Sequence, residues 1–104
     1  MDIIKNLESL LHKEQDNALI RYSLGNEYLR VKKFPEAIEH LHRAIELEPE
    51  YSAAWKLYGK ALTSNNRINE AIKAYEKGIA VAEKKGDVQA AKEMKVFLKR
   101  LKKS

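Results

Sequence analysis

The chain contains no cysteine, only two prolines and only four glycines in 104 residues. Without cysteine there can be neither a disulfide framework nor a metal site built from thiolates. So few prolines and glycines leave little room for long loops, because these residues dominate turns and breaks in regular structure. Long stretches of alternating apolar and polar residues, which would predict strands, are also missing. Together these absences favour one small helical domain.

A long uninterrupted apolar run is missing as well. The N-terminal segment MDIIKNLESLL has neither the basic start nor the continuous apolar core of a secretory signal. No stretch approaches the length that a membrane span needs. We therefore expect a soluble cytoplasmic protein without membrane contact. The hydrophobic fraction of 44% and the charged fraction of 34% suit amphipathic helices.

What the sequence does contain is a period of 34 residues. Gly25 recurs as Gly59, and Ala37 recurs as Ala71. Three further pairs have the same spacing: Leu41 and Tyr75, Ala44 and Gly78, and Leu47 and Val81. Small side chains let two helices cross closely, and large ones fill the seam between them. A period of this length predicts a stack of helix–turn–helix units, which usually presents a binding surface and carries no chemistry of its own.

The residue types at these positions follow a known pattern, W-x2-L-G-x2-Y, then A-x3-F, then P. The first copy contains Leu24, Gly25, Tyr28, Ala37, Leu41, Ala44 and Pro49. The second copy contains Trp55, Tyr58, Gly59, Leu62, Ala71, Tyr75 and Gly78. Over residues 18–83 the chain therefore resembles the tetratricopeptide repeat (TPR) family. It departs from the pattern at Arg21, where a tryptophan is expected, and at Glu83, where a proline is expected.

The resemblance implies an all-α fold, a right-handed α-solenoid of antiparallel helix pairs. Helical periodicity and capping residues predict about six helices in a single domain of residues 1–104. We divide it into an N-terminal half-repeat cap (1–16), two repeats (17–51 and 52–85), and a C-terminal capping helix with a basic tail (86–104). The first helix should be the second half of a degenerate repeat and should cover one end of the stack. Its apolar stripe lies 34 residues before that of the first full repeat and comprises Ile3, Ile4, Leu7, Leu10 and Leu11.

The last helix fits the pattern only with a shift of register. A strict step of 34 residues would bury Lys92, Glu93 and Lys95, at a cost of several kcal/mol for each unpaired charge. A step about five residues longer aligns a different set with Trp55, Tyr58, Gly59 and Leu62, namely Met94, Phe97, Leu98 and Leu101. We expect this shifted register, with Gly86 ending a longer fifth helix and Asp87 capping the sixth.

Charge is unevenly distributed along the chain, and this bears on the candidate site. Residues 1–51 hold 7 Lys and Arg against 10 Asp and Glu, a net of −3, whereas residues 52–104 hold 13 against 5, a net of +8. In the family that the chain resembles, the first helix of each repeat lines a concave face, which implies a peptide-binding groove. The candidate groove residues are Tyr22, Ser23, Asn26, Arg30, Lys56, Leu57, Lys60, Ser64, Lys95 and Lys99. Two lysine rows in such a groove would attract an acidic peptide segment, although the same lysines would also serve as a solvated face.

Some members of the family bind an acidic C-terminus through a clamp of lysines and asparagines. Asn26 matches one clamp position, but Tyr22 stands where a lysine is expected and Leu57 where a second asparagine is expected. The resemblance therefore does not imply a complete clamp.

No pattern in the chain predicts catalysis. His40 and His42 are two residues apart on a helix and point in different directions, and His12 has no partner at a useful spacing, so we expect no metal site. A glycine-rich phosphate loop, a nucleophile elbow and an H-E-x-x-H motif are all missing. We therefore expect no enzyme activity and no cofactor. Trp55 and Tyr58 fall on packing positions, which favours a place in the core over a stacking platform for bases.

The sequence predicts a protein–protein interaction module, adaptor or co-chaperone-like, that binds a peptide or a helical segment of a partner in the concave groove. The alternative is nucleic-acid binding through the basic C-terminal half. A shortage of arginine and of exposed aromatic rows weakens this alternative. Self-association through leftover apolar edges of the stack is compatible with the interaction-module function, as is a monomer, so the oligomeric state stays open.

Overall fold

Six α-helices make up the computed structural model, which describes residues 2–13 and 15–103. In chain order they are α1 (Ile3–Lys13), α2 (Ala18–Arg30), α3 (Phe34–Leu47), α4 (Ser52–Ser64), α5 (Ile68–Lys85) and α6 (Val88–Lys103). No strand occurs in these two ranges. The all-α prediction is confirmed.

Short polar and special residues set the ends of the helices. Asn17 caps α2, because its Oδ1 accepts a hydrogen bond from the backbone N–H of Ile20 at 3.1 Å. Gly86 ends α5 with a φ of 81°, a left-handed conformation that favours glycine. Asp87 then caps α6 by accepting a bond from the backbone N–H of Ala90 at 3.2 Å, and it also accepts one from the Ser52 hydroxyl at 2.6 Å. The predicted ends at Gly86 and Asp87 are confirmed.

The helices pack as successive pairs. α2 packs against α3, and α4 packs against α5. Contacts of α3 with α4 and of α5 with α6 join these pairs into a stack. α4 also has α2 on one side and α6 on the other, so these three helices form one layer of the molecule. This arrangement is an all-α helical repeat.

The 34-residue period corresponds to the closest helix crossings. A Cβ atom added to Gly59 would lie 2.5 Å from the ring of Tyr75, and one added to Gly25 would overlap Leu41. Ala37 and Ala71 are completely buried beside these crossings. The small residues therefore recur because the same crossing is built twice.

The shifted register of α6 is confirmed. Met94 is completely buried, whereas Lys92 and Lys95 are exposed. The sulfur of Met94 packs against Gly78, where an added Cβ would lie 2.6 Å from it. Ala90 and Ala91 are buried as well, although the sequence pattern did not single them out.

The expected burial of the α1 stripe is only partly correct. Ile4, Leu7 and Leu11 are half-buried, but Ile3 and Leu10 keep 48% and 45% of their surface exposed. These two residues flank Leu7, whose counterpart 34 residues later, Leu41, packs on the glycine of a preceding helix. Among the described residues no helix precedes α1, so this side of α1 is uncovered.

Candidate functional site

All ten candidate groove residues lie on α2, α4 and α6, the three helices that form one layer. Nine of them are exposed or half-buried, and Leu57 is the exception. Leu57 is only 9% exposed and belongs to the hydrophobic core. The expectation that it faces outward is wrong, because α4 lies between α2 and α6 and this side chain is enclosed by the packing of the layer.

The α2 part of the candidate groove is built around an aromatic contact. The ring of Tyr22 stacks on that of Tyr51, with centroids 4.9 Å apart. Asn26 is exposed and Ser23 half-buried. Arg30 bonds to Glu27 one turn earlier, with Nη2 2.9 Å from Oε1. This part of the layer offers a tyrosine face and an amide rather than a free cation.

The lysines of the candidate groove divide into two kinds. Lys56 Nζ lies 2.9 Å from Glu93 Oε1, and this bond lowers the pKa of the Glu93 carboxyl. Lys95 Nζ lies 2.7 Å from Glu83 Oε2 on α5, outside the layer. Lys60 and Lys99 are exposed and form no ion pair with the described residues. The four lysines therefore do not act as one set of open positive charges.

An open cleft of about 700 Å³, lined by both apolar and charged residues, adjoins Tyr22. Its lining residues are Leu19, Leu47, Glu48, Pro49, Glu50, Tyr51 and Lys85. Leu19 is 62% exposed. Sequence reasoning missed Leu19 and Tyr51, although a leucine outside the buried stripe of α2 was a usable signal.

A polar cluster replaces the tryptophan that the first repeat lacks. Arg21 Nε lies 2.8 Å from Asp16 Oδ1, and Arg43 Nε lies 2.7 Å from Asp16 Oδ2. These bonds from Arg21 and Arg43 lower the pKa of the Asp16 carboxyl to about 2. Arg21 Nη1 is also 3.1 Å from His40 Nδ1.

Neither a metal site nor a membrane span is found in residues 2–13 and 15–103. No three His, Cys, Asp or Glu side chains gather there as a metal ion would need, and no helix there is both long and apolar enough to span a bilayer. Trp55 is buried and donates its indole N–H to the Pro49 carbonyl at 2.8 Å, while Tyr58 is half-buried. Trp55 therefore belongs to the core, as predicted, and is not a platform for bases.

Paired helices with glycine or alanine at each crossing are the architecture of one repeat family. The tetratricopeptide repeat profile matches residues 22–88. The chain belongs to the tetratricopeptide repeat family. The TPR fold is that of a protein–protein interaction module.

Three similar proteins support this assignment. A TPR repeat-containing protein of Pseudomonas aeruginosa is 48% identical over 99 residues, which is 95% of this chain and 94% of the relative. The solution structure of protein BPP2914 from Bordetella parapertussis is 40% identical with a TM-score of 0.87, over 99% of this chain and 90% of that one. The second TPR domain of the human RPAP3 protein, solved in complex with the HSP70 peptide SGPTIEEVD, is 27% identical with a TM-score of 0.73, over 88% of this chain and 78% of that one.

Proposed function

We propose that this TPR domain binds a peptide or helical segment of a partner protein across the layer of α2, α4 and α6, as an adaptor or co-chaperone-like subunit of the cytoplasm. One observation carries the proposal: exposed polar and cationic side chains of this layer lie on the same helices as Leu19, which lines an open cleft together with Tyr51 and the charged residues Glu48, Glu50 and Lys85. Leu19 and Tyr51 line the cleft, and Asn26, Lys60 and Lys99 are exposed on the same layer. The TPR domain of RPAP3, which has the same fold, was solved with a peptide that combines apolar and acidic residues.

The ligand that suits this layer is an acidic segment with at least one large apolar side chain. The apolar side chain would enter the cleft at Leu19, where it would displace water from apolar surface. Its carboxylates would approach Lys60 and Lys99, which have no ion-pair partner among the described residues. Lys56 would contribute only by exchanging Glu93 for the incoming carboxylate.

The clamp that holds acidic C-termini in some TPR domains is incomplete in this chain. Tyr22 stacks on Tyr51 in the place of a clamp lysine, and Leu57 is buried in the place of a clamp asparagine. We therefore propose recognition of an acidic-apolar segment through Asn26 and Lys60 rather than through a full set of lysine and asparagine side chains that donate to carboxylates.

Titration of the ¹⁵N-labelled protein with the peptide SGPTIEEVD tests the proposal, because the amide resonances that shift show where the peptide binds. We expect amide resonances of α2 and α4 around Tyr22, Asn26 and Lys60 to shift. A peptide with amides in place of its three acidic side chains should bind more weakly. Binding of the acidic peptide should weaken as salt rises, because the attraction is screened over a Debye length of about 10 Å at 0.1 M salt.

A matched pair of charge reversals distinguishes peptide binding in the groove from binding elsewhere on the surface. Lys60→Glu should weaken peptide binding at least ~10-fold, which corresponds to about 1.4 kcal/mol. Lys73→Glu is the control, since Lys73 is an exposed lysine on α5, outside the layer. Lys60 is preferred to Lys56 because Lys56→Glu would set a carboxylate against Glu93.

Two outcomes would contradict the proposal. One is a set of shifts confined to α3 and α5, or none with either peptide. The other is tight binding of a single-stranded oligonucleotide that weakens equally with Lys60→Glu, Lys73→Glu and Lys102→Glu. Equal weakening would indicate diffuse electrostatic attraction and favour the nucleic-acid alternative.

A further inference from the structure

The side of α2 that carries the candidate groove residues presents no free charge. Leu19, Tyr22 and Asn26 are spaced three and four residues apart, so they share one side of the helix. All three are exposed or half-buried, and Leu19 is 62% exposed. The charged side chains of α2 each form an ion pair with a described residue. A ligand that lies on α2 therefore meets apolar, aromatic and amide groups.

The equivalent side of the next two helices in the layer becomes progressively cationic. The 34-residue period places one alanine and two lysines at the same three positions of α4, and the longer step of the confirmed register places a lysine at all three positions of α6. None of these six residues is fully buried. They are Ala53, Lys56 and Lys60 on α4, and Lys92, Lys95 and Lys99 on α6.

Two of these lysines are paired in a way that leaves them open to exchange. Lys56 bonds to Glu93 at 2.9 Å and Lys95 to Glu83 at 2.7 Å. All four side chains keep between 28% and 55% of their surface exposed. Exposed ion pairs of this kind contribute little free energy, so an incoming carboxylate can replace either partner.

The other three lysines, Lys60, Lys92 and Lys99, form no ion pair with any described residue. One more carboxylate lies near this side of the layer, that of Asp87, which is held by the Ser52 hydroxyl at the start of α6. The α4–α6 side therefore has five lysines against three carboxylates and keeps an excess of positive charge.

Beside Leu19 the balance of charge is reversed. Glu48 and Glu50 line the cleft there, and neither carboxylate has an ion-pair partner among the described residues. The one cation of the lining is Lys85, whose Nζ donates to the Glu50 carbonyl oxygen at 3.1 Å. An acidic side chain of a ligand is therefore disfavoured in the cleft and favoured on α6.

We propose, on the basis of the function proposed above, that the partner segment carries an apolar anchor and a pair of acidic residues about five or six residues apart. The anchor lies at Leu19 on α2, and the acidic pair lies on the lysine row Lys92, Lys95 and Lys99 of α6. Two interaxial spacings of roughly 8–10 Å each separate α2 from α6. An extended chain advances roughly 3.3–3.6 Å per residue, so five or six residues cover this distance. Acidic residues directly beside the anchor would instead meet Glu48 and Glu50.

A series of synthetic peptides measures the preferred separation. Each peptide has one leucine and two adjacent glutamates in a chain of glycine and serine, and both ends are blocked to remove the terminal charges. The glutamates follow the leucine by one, three, six or ten residues. In ¹⁵N titrations the six-residue separation should bind at least ~3-fold more tightly than the one-residue separation. A shorter connection cannot reach α6, and a longer one lowers the effective concentration of the acidic pair. Amide resonances around Lys92 and Lys99 should shift with the six-residue separation and not with the one-residue separation.

A matched pair of double variants tests the lysine row itself. Lys92→Gln combined with Lys99→Gln should abolish the preference for the six-residue separation. Lys73→Gln combined with Lys77→Gln is the control, because it removes the same charge from two exposed lysines of α5, outside the layer. The control should retain the preference, and circular dichroism shows whether both variants are folded.

Three results would overturn this proposal: equal affinity at all separations, tightest binding at the one-residue separation, or a preference that survives Lys92→Gln with Lys99→Gln. The function proposed above would still stand if SGPTIEEVD shifted amide resonances of α2 and α4, since its isoleucine directly precedes its acidic residues. If no peptide shifted any resonance of the layer, both proposals would be wrong.

Discussion

Arg21 stands where the TPR pattern has a tryptophan, and it changes the chemistry of the first helix pair. Its guanidinium bonds to Asp16 and reaches His40 Nδ1 at 3.1 Å. Because an arginine can only donate, Nδ1 of His40 must accept, which leaves the imidazole neutral with its proton on Nε2. His40 is 8% exposed and its ring stacks on Tyr28, with centroids 5.5 Å apart. Burial and then the nearby Arg21 charge lower the pKa of His40 from 6.5.

This histidine should make stability depend on pH in a defined window. The unfolded chain protonates His40 near pH 6.5, while the folded chain resists protonation until its lower pKa is reached. Stability contributed by the neutral ring is therefore complete above pH 6.5 and decreases as the pH falls toward the folded-state pKa. We expect urea unfolding to show a lower free energy at pH 5.5 than at pH 7.5.

Substituting each histidine in turn shows which ring causes the pH dependence of stability. His40→Gln should flatten the dependence between pH 7.5 and 5.5, whereas His42→Gln, which changes an exposed ring beside Glu46, should retain it. A slope that survives His40→Gln would place the titrating group elsewhere. Asp16 acts in a separate range, because its pKa of about 2 means that its contribution is lost only as the pH falls from 3.8 toward 2.

At the scale of elements, the two end helices differ in how firmly they are held. None of the described α1 side chains is fully buried, and a main tie to the stack is the Tyr28 hydroxyl, which donates to Glu8 Oε2 at 2.8 Å. Burial, followed by the bond to Glu8, raises the pKa of Tyr28 to about 12, so this tie persists at neutral and mildly basic pH. α6 instead buries Ala90, Ala91 and Met94, and Met94 fills the space beside Gly78. α6 is therefore an integral part of the core, whereas α1 packs against α2 alone.

Truncating one apolar side chain on each end helix should show that α6 is packed more deeply than α1. Met94→Ala removes a completely buried side chain and should lower the free energy of unfolding by about 2–5 kcal/mol. Leu10→Ala removes a side chain that is 45% exposed and should change the free energy of unfolding by less than about 0.5 kcal/mol. Urea denaturation of the two variants measures both changes in the free energy of unfolding. Equal costs would mean that α1 is as deeply packed as α6.

At the scale of the whole molecule, each helix contacts only its neighbours in the stack. Most of the completely buried residues lie in α3, α4 and α5, and α4 has neighbours on both sides. In such stacks stability is close to a sum of intrinsic and nearest-neighbour terms, so an end with one neighbour opens first. Local opening then precedes global unfolding at the N-terminal end.

Native-state hydrogen exchange should therefore rank the helices by the free energy of their local opening. We expect amides of α1 to exchange fastest, those of α6 at an intermediate rate, and those of α4 and α5 slowest and near the global unfolding free energy. The experiment is best run at low concentration. Exchange of α1 at the rate of α4, even in dilute solution, would contradict this ranking.

Much of the fold could be predicted because it depends on short-range sterics and periodicity. Gly25 and Gly59 mark close crossings, since no larger residue fits against Leu41 and Tyr75. Gly86 ends α5 because its positive φ favours a residue without Cβ. The register of α6 followed from the cost of burying Lys92 and Lys95. The candidate groove could be predicted only as a set of residues on one layer.

The sequence by itself determined which residues pack and where the helices begin and end, whereas the tertiary structure decided which surface residues have partners. Lys56 with Glu93, Lys95 with Glu83 and Arg21 with His40 each join residues at least 12 positions apart, and no local pattern encodes such pairs. Leu57 is enclosed because helices from two other segments flank α4, and Ile3 is exposed because none precedes α1. Exposure and charge pairing depend on the neighbours that distant parts of the chain supply, so they exist only once the stack has formed.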